Sequence, residues 1–86
     1  MAIIIDRPVW PARGRYWSHL CSDASFAELH EFAARLGVPE RAFDRDHYDL
    51  PADLYDAAVE LGATKVDSRQ LLCAITAAGL RRRKSR

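Results

Sequence analysis

The chain has 86 residues, 49% of them apolar, with thirteen basic and twelve acidic side chains. That length excludes a second core, and that apolar share excludes a disordered chain. The net charge of +1 hides a basic end: without Arg81, Arg82, Arg83, Lys84 and Arg86 the body holds eight bases against twelve acids, near −4, which excludes a basic patch spread over the fold.

Ala2–Ile5 is an apolar, β-branched run that stops at Asp6, and it suits a strand buried on both faces. It is too short for a signal peptide or a membrane span, so a soluble, cytoplasmic protein with no membrane partner is expected. RPVWPARGR (7–15), with two prolines and Gly14, reads as a loop. Tyr16–Cys21 alternates, with Tyr16, Ser18 and Leu20 on one side and Trp17, His19 and Cys21 on the other, as a strand does. Cys21 and Cys73 form no CxxC pair and read as reduced thiols, with no structural zinc site.

Ser25 and Glu28 have capping-box spacing. Phe26, Leu29, Phe32, Ala33 and Leu36 then make one apolar helical stripe, stopped at Gly37 and Pro39. FDRDHYDLP (43–51) has neither helical nor strand period, although part of it would pair as a short strand. After Pro51, Leu54, Ala57, Ala58 and Leu61 form a second stripe, ended by Gly62. Thr64–Val66 reads as a strand. Asp67 and Gln70 cap a last helix that runs to about Gly79. In that helix Leu71, Leu72 and Ile75 face one way, while Cys73 and Ala77 lie opposite and are uncharged. A helix apolar on both sides points to a homodimer.

Alternating strands and helices predict an α/β fold: one small domain over residues 1–80, a mostly parallel short sheet of three to four strands, and about three helices. Residues 81–86 are expected to form a disordered basic tail, with nucleic acid as its natural partner.

In open α/β sheets ligands bind at the carboxyl ends of strands. Asp6, Asp23 and the trio His47, Tyr48 and Asp49 would converge there, beside a loop with Trp10, Arg13, Gly14 and Arg15. Plainer roles exist for several of these. Asp6 would pair with Arg7 or Arg15, Asp23 and Asp49 would favour helix starts, Trp17 would pack in the core, and His30 would border an apolar stripe with one hydrogen bond. His19 and His47 are the stronger candidates for a general base or metal ligand, with Asp49 placed to orient a ring nitrogen. Asp44-x-Asp46-x-x-Asp49 lacks the glycine and closing glutamate of a calcium loop. Walker, GxGxxG, GxSxG and HExxH motifs are absent, so no cofactor is expected. A divalent metal, if held, would take His19, His47, Asp6 and Asp49.

These stretches resemble a family of short bacterial and phage proteins known as domain of unknown function 4031. The resemblance spans about residues 2–80. Its pieces are the strand ending in Asp6, GR at Gly14–Arg15, WSHLCSD at Trp17–Asp23, AELHEFAARLG at Ala27–Gly37, HYDLP at His47–Pro51 and LGA at Leu61–Ala63. It implies a bacterial or phage origin and brings no known activity. It places His19, His30, His47, Tyr48 and Asp49 within family motifs. The basic tail departs from the family pattern.

Two functions follow. The favoured one is a binding module for an anionic ligand or nucleic acid at the carboxyl edge, with Gly14 and Arg15 near a phosphate, Trp17 or Tyr48 stacking, and His19, His30 or His47 hydrogen-bonding. The alternative is a small hydrolase, metal-dependent in one form, with His47 or His19 as base beside Asp6 and Asp49. Binding ranks first because no complete catalytic signature is present. An acidic loop near the site disfavours bare phosphates unless a cation intervenes.

Overall fold

The computed structural model describes residues 2–83. Ile3–Ile5 forms β1, and each of its three side chains is buried, as the apolar run predicts. β2 (Trp10–Ala12) and β3 (Arg15–Ser22) make a hairpin within the stretch expected to be a loop. Its two-residue turn, Arg13–Gly14, has positive φ at both positions (51° and 74°), the twist that tight hairpins require and that glycine adopts without strain. Pro11 is tolerated because β2 pairs only with β3 and needs no donor on its other side.

The helix α1 (Phe26–Arg35) starts where Ser25 Oγ accepts the Glu28 amide, and it buries Leu29, Phe32 and Ala33. FDRDHYDLP becomes a hairpin of β4 (Phe43–Asp44) and β5 (His47–Pro51). A turn of 3-10 helix leads into α2 (Tyr55–Leu61). Then come β6 (Thr64–Lys65) and α3 (Ser68–Ala77), which carries the full reciprocal capping box of Asp67 and Gln70.

The sheet has six strands in the order β4-β5-β3-β1-β6, with β2 beside β3. The expectation of a mostly parallel sheet of three to four strands is corrected here: only β1 and β6 run parallel, and the other four pairings are antiparallel. Two short turns inside stretches read as irregular cause the difference. Each reverses the chain at once and needs no helical crossover.

The sheet separates two apolar layers. On one face α1 and α2 pack on Ile3, Ile5, Leu20, Tyr48 and Leu50. On the other, Leu71 and Ile75 of α3 cover Ile4 and Cys21. The outer side of α3, with Cys73 and Ala77, is exposed, as is Leu72. No helix among the described residues is long and apolar enough to cross a membrane.

Candidate functional site

The site begins with a break in strand pairing. Ile5 faces Leu20 and Trp10 faces Trp17, so the chain from β1 to β2 carries two more residues than β3 over that span. Asp6 stands at the start of this bulge. Its amide donates to the His19 carbonyl at 3.2 Å, while its own Oδ1, rather than a main-chain carbonyl, accepts the His19 amide at 2.6 Å. Asp6 Oδ2 accepts from His19 Nδ1 (2.8 Å), Trp10 Nε1 (3.1 Å) and Ser68 Oγ (3.1 Å). The residue is fully buried. Burial alone would push its carboxyl up, but the bonds from the His19 ring and amide outweigh it and hold the group below its usual value. An ionised carboxylate only accepts, so Nδ1 carries the proton. In the neutral ring, Nε2 is then a free lone pair.

A second pair repeats the arrangement. Asp46 is 2% exposed and accepts from His47 Nδ1 at 2.8 Å. It also accepts the Arg82 amide at 2.8 Å and Arg81 Nη1 at 3.1 Å. These bonds, led by that of His47, overcome the upward push of burial and hold Asp46 low.

β3 and β5 bring the two pairs together. His19 faces Asp49 across the ladder, and His47 lies two residues before Asp49 on the same side of β5. His47 Nε2 is 3.1 Å from Asp49 Oδ1, and His19 Nε2 is 4.0 Å from the same oxygen. The bond from His47 is the main reason Asp49 is held below its usual value. Burial pushes His47 down, yet its bonds to Asp49 and Asp46 outweigh that and raise it. Ligand atoms of His19, His47 and Asp49 lie within 4.8 Å of one another, close enough that a cation could be held between them.

Asp6, His19, His47 and Asp49 thus meet, as the sequence suggests, but on a sheet face. β1, β3 and β5 alternate in direction and share no carboxyl edge. Tyr48 points to the opposite face, where it is 1% exposed and bonds His30 Nδ1 at 2.6 Å. His30 is half-buried and packs on Phe43, a boundary histidine as expected. Gly14 and Arg15 sit at the hairpin tip, and Arg15 pairs with Asp53 at 3.1 Å. Trp17 is half-buried outside both apolar layers, donates to the Ala12 carbonyl and lies beneath the Arg13 and Arg15 guanidiniums. Asp23 Oδ1 accepts the Ala2 amide, which ties down the start of β1.

Four participants were not placed at the site by sequence reasoning: Asp46, Ser68, Arg45 and Arg81. They line, with His19 and His47, a cavity of about 330 Å³ against α3. The sequence put Asp49 at a ring nitrogen of His47; the structure has it at Nε2, with the adjacent Asp46 at Nδ1, and it holds Trp10 in a strand where a loop was expected. The basic segment is held at its start, since Arg81 and Arg82 bind Asp46 and the Arg82 guanidinium lies over Phe26. Lys84 and Arg86 of the expected tail lie outside the described residues.

The chain belongs to the family described as Protein of unknown function (DUF4031), whose model matches residues 3–78. No curated protein and no solved structure matches it.

Proposed function

We propose that this DUF4031 protein holds a divalent cation between His19 Nε2, His47 Nε2 and the Asp49 carboxylate, and uses it to act on a small anionic substrate as a hydrolase. One observation supports this above the rest: two imidazoles on neighbouring strands, each fixed at Nδ1 by a buried aspartate, turn Nε2 toward one carboxylate oxygen. Metal-ligating histidines are oriented in this way by a carboxylate behind the ring.

The spacing fits. Bonds of about 2.0–2.1 Å in a tetrahedral site put ligand atoms about 3.3 Å apart. The His47–Asp49 distance of 3.1 Å is already there. Two imidazoles and one carboxylate suit zinc or iron(II), and three protein ligands leave positions open, as catalytic rather than structural sites do. The cation would supply Lewis acidity and a more acidic water. The chain's own part is to fix two ring tautomers, to keep Asp6 and Asp46 ionised behind them, and to leave Asp49, the most exposed of the three carboxylates, free to swing onto the cation. Without a cation these three carboxylates repel an anion, so the binding-module reading also depends on it.

The test is metal uptake by the chelator-treated full chain, followed by calorimetric titration with zinc, iron(II) and manganese. One cation per chain is expected. His19→Ala and Asp49→Asn should weaken it at least tenfold, and Asp6→Asn about 10–100-fold through the ring it orients. A wild-type chain that takes up none of the three metals, or a His19→Ala variant of unchanged affinity, refutes the reading.

A further inference from the structure

We infer that the cavity beside the two histidines receives a phosphate ester carrying a flat ring, of the nucleotide kind, with the ring against Trp10 and the phosphate toward Arg45 and Arg81. This rests on the cation site proposed above and names its substrate class. The cavity measures about 330 Å³, at the lower end of small-ligand sites. Its two ends differ. Trp10 belongs to the His19 end: its ring lies 5.2 Å from the imidazole, its Nε1 is anchored on Asp6, and 42% of the residue remains exposed. Leu72 of α3, 44% exposed, lines the same cavity. A flat ring covers both surfaces at once, and an aromatic wall favours stacking on any base.

Arg81 belongs to the His47 end, through Asp46. It spends one nitrogen there, and a guanidinium has five donors in a fork that matches phosphate. Arg45 also lines the cavity, and among the described residues it makes only a loose ion pair, 3.9 Å from Asp44. The charges of the lining balance, Asp6 and Asp46 against Arg45 and Arg81. A divalent cation on His19, His47 and Asp49 tips the site positive even with Asp49 counted, so it selects an anion only when loaded. A carboxylate or bare phosphate would leave Trp10 and Leu72 uncovered. A nucleoside would leave the arginines unmatched.

The experiment titrates the full chain, zinc-loaded and chelator-treated, with adenosine monophosphate, adenosine, inorganic phosphate and a short single-stranded oligoadenylate. The zinc-loaded chain should bind the monophosphate, with adenosine and phosphate each at least tenfold weaker. Arg45→Gln should weaken the monophosphate roughly tenfold, the size of a lost charge-assisted bond, while zinc affinity stays unchanged. Tighter binding of the oligoadenylate identifies the end of a nucleic-acid strand as the source, and equal or weaker binding identifies a free nucleotide. Phosphate or adenosine binding as tightly as the monophosphate, or indifference to Arg45→Gln, overturns the inference. Zinc uptake without monophosphate binding overturns it alone and leaves the cation site standing. If zinc is not held, the cation reading fails and the inference that rests on it fails with it, and monophosphate binding as tight in the chelator-treated chain as in the zinc-loaded one overturns the loaded-site selection.

Discussion

His19 and His47 stand edge to face, ring centroids 5.1 Å apart, and each is turned by its own buried aspartate. The two aspartates come from different parts of the chain and are held by different means. Asp6 is gripped by the bulge of β1, by Trp10 and by Ser68 at the start of α3. Asp46 is gripped from the C-terminal side by Arg81 and Arg82.

Ending the chain after Leu80 removes both non-histidine donors to Asp46. Among the described residues that carboxylate would be held by His47 alone, and its grip on the His47 ring would loosen. Zinc affinity should fall about tenfold, the lower range for loss of an outer support. Arg81→Ala should cost less, since the Arg82 amide still donates at 2.8 Å. Gly79, with φ of +77°, turns the chain toward Asp46, so a Gly79→Val variant should resemble the truncation. Competition titration against a zinc chelator, with circular dichroism to confirm folding, reads each variant. Unchanged affinity in the truncated chain would show that Asp46 needs no help from this segment.

The pH dependence of stability should reverse slope when zinc is added. In the chelator-treated chain His47 is raised above 6.5 because its bonds to Asp49 and Asp46 outweigh burial. A raised group contributes stability that is full below its unfolded value and lost as pH rises through its folded value. The metal-free chain should therefore lose melting temperature as pH climbs from about 6.5. Asp6, Asp46 and Asp49 are shifted down from 3.8, so their contribution is lost only in stronger acid and does not disturb this window. With zinc, the cation competes with the Nε2 proton, and its stabilisation grows as pH rises. Thermal melts with and without zinc across this range read both slopes. Parallel slopes would place the cation elsewhere.

How much of this was legible depended on how each feature is encoded. The caps of α1 and α3 were legible because Ser25–Glu28 and Asp67–Gln70 are local pairs at a fixed spacing. The faces of β3 were legible because its alternation is clean. That same alternation put His19 beside Trp17 and Cys21, the face that carries the site. The direction of the sheet was not legible. It rests on turns at Arg13–Gly14 and at Arg45, which has φ of +60°, and an arginine gives no turn signal. Tyr48 was grouped with His47 and Asp49 because a loop reading ignores faces. Once β5 is a strand, Tyr48, between His47 and Asp49, must point the other way. Ser68 and Arg81 reach the site across 62 and 35 residues of separation, and Trp10 reaches it through the bulge, which no local pattern records.

The two cysteines should differ sharply toward alkylation. Cys21 is fully buried under α3, and burial with the nearby Asp46 and Asp6 charges pushes its thiol far up. Cys73 is exposed on the outer side of that helix. The thiolate is the reactive form, so iodoacetamide at neutral pH should label one thiol in the native chain and both in denaturant. Mass spectrometry of digested peptides assigns the site. Native labelling of Cys21 would mean that α3 opens readily from the sheet.

Ser18 should be a position where the wild-type residue costs stability. It lies on β3 opposite Leu50, on the face that α1 and α2 cover, and it is fully buried. Its hydroxyl has no hydrogen-bond partner among the described residues. A buried donor or acceptor left unpaired costs about 1–3 kcal/mol, whereas removing the hydroxyl leaves a void of only one oxygen atom. Ser18→Ala should therefore raise stability by about 1 kcal/mol, or about 4–8 °C in melting temperature for a domain of this size. The substitution lies on the opposite face from His19 and His47, so zinc affinity should not move. Denaturant unfolding of the two chains, with and without zinc, measures both quantities. A lower midpoint for Ser18→Ala would show that the hydroxyl is satisfied by a buried water, and that β3 needs this bond at the strand centre.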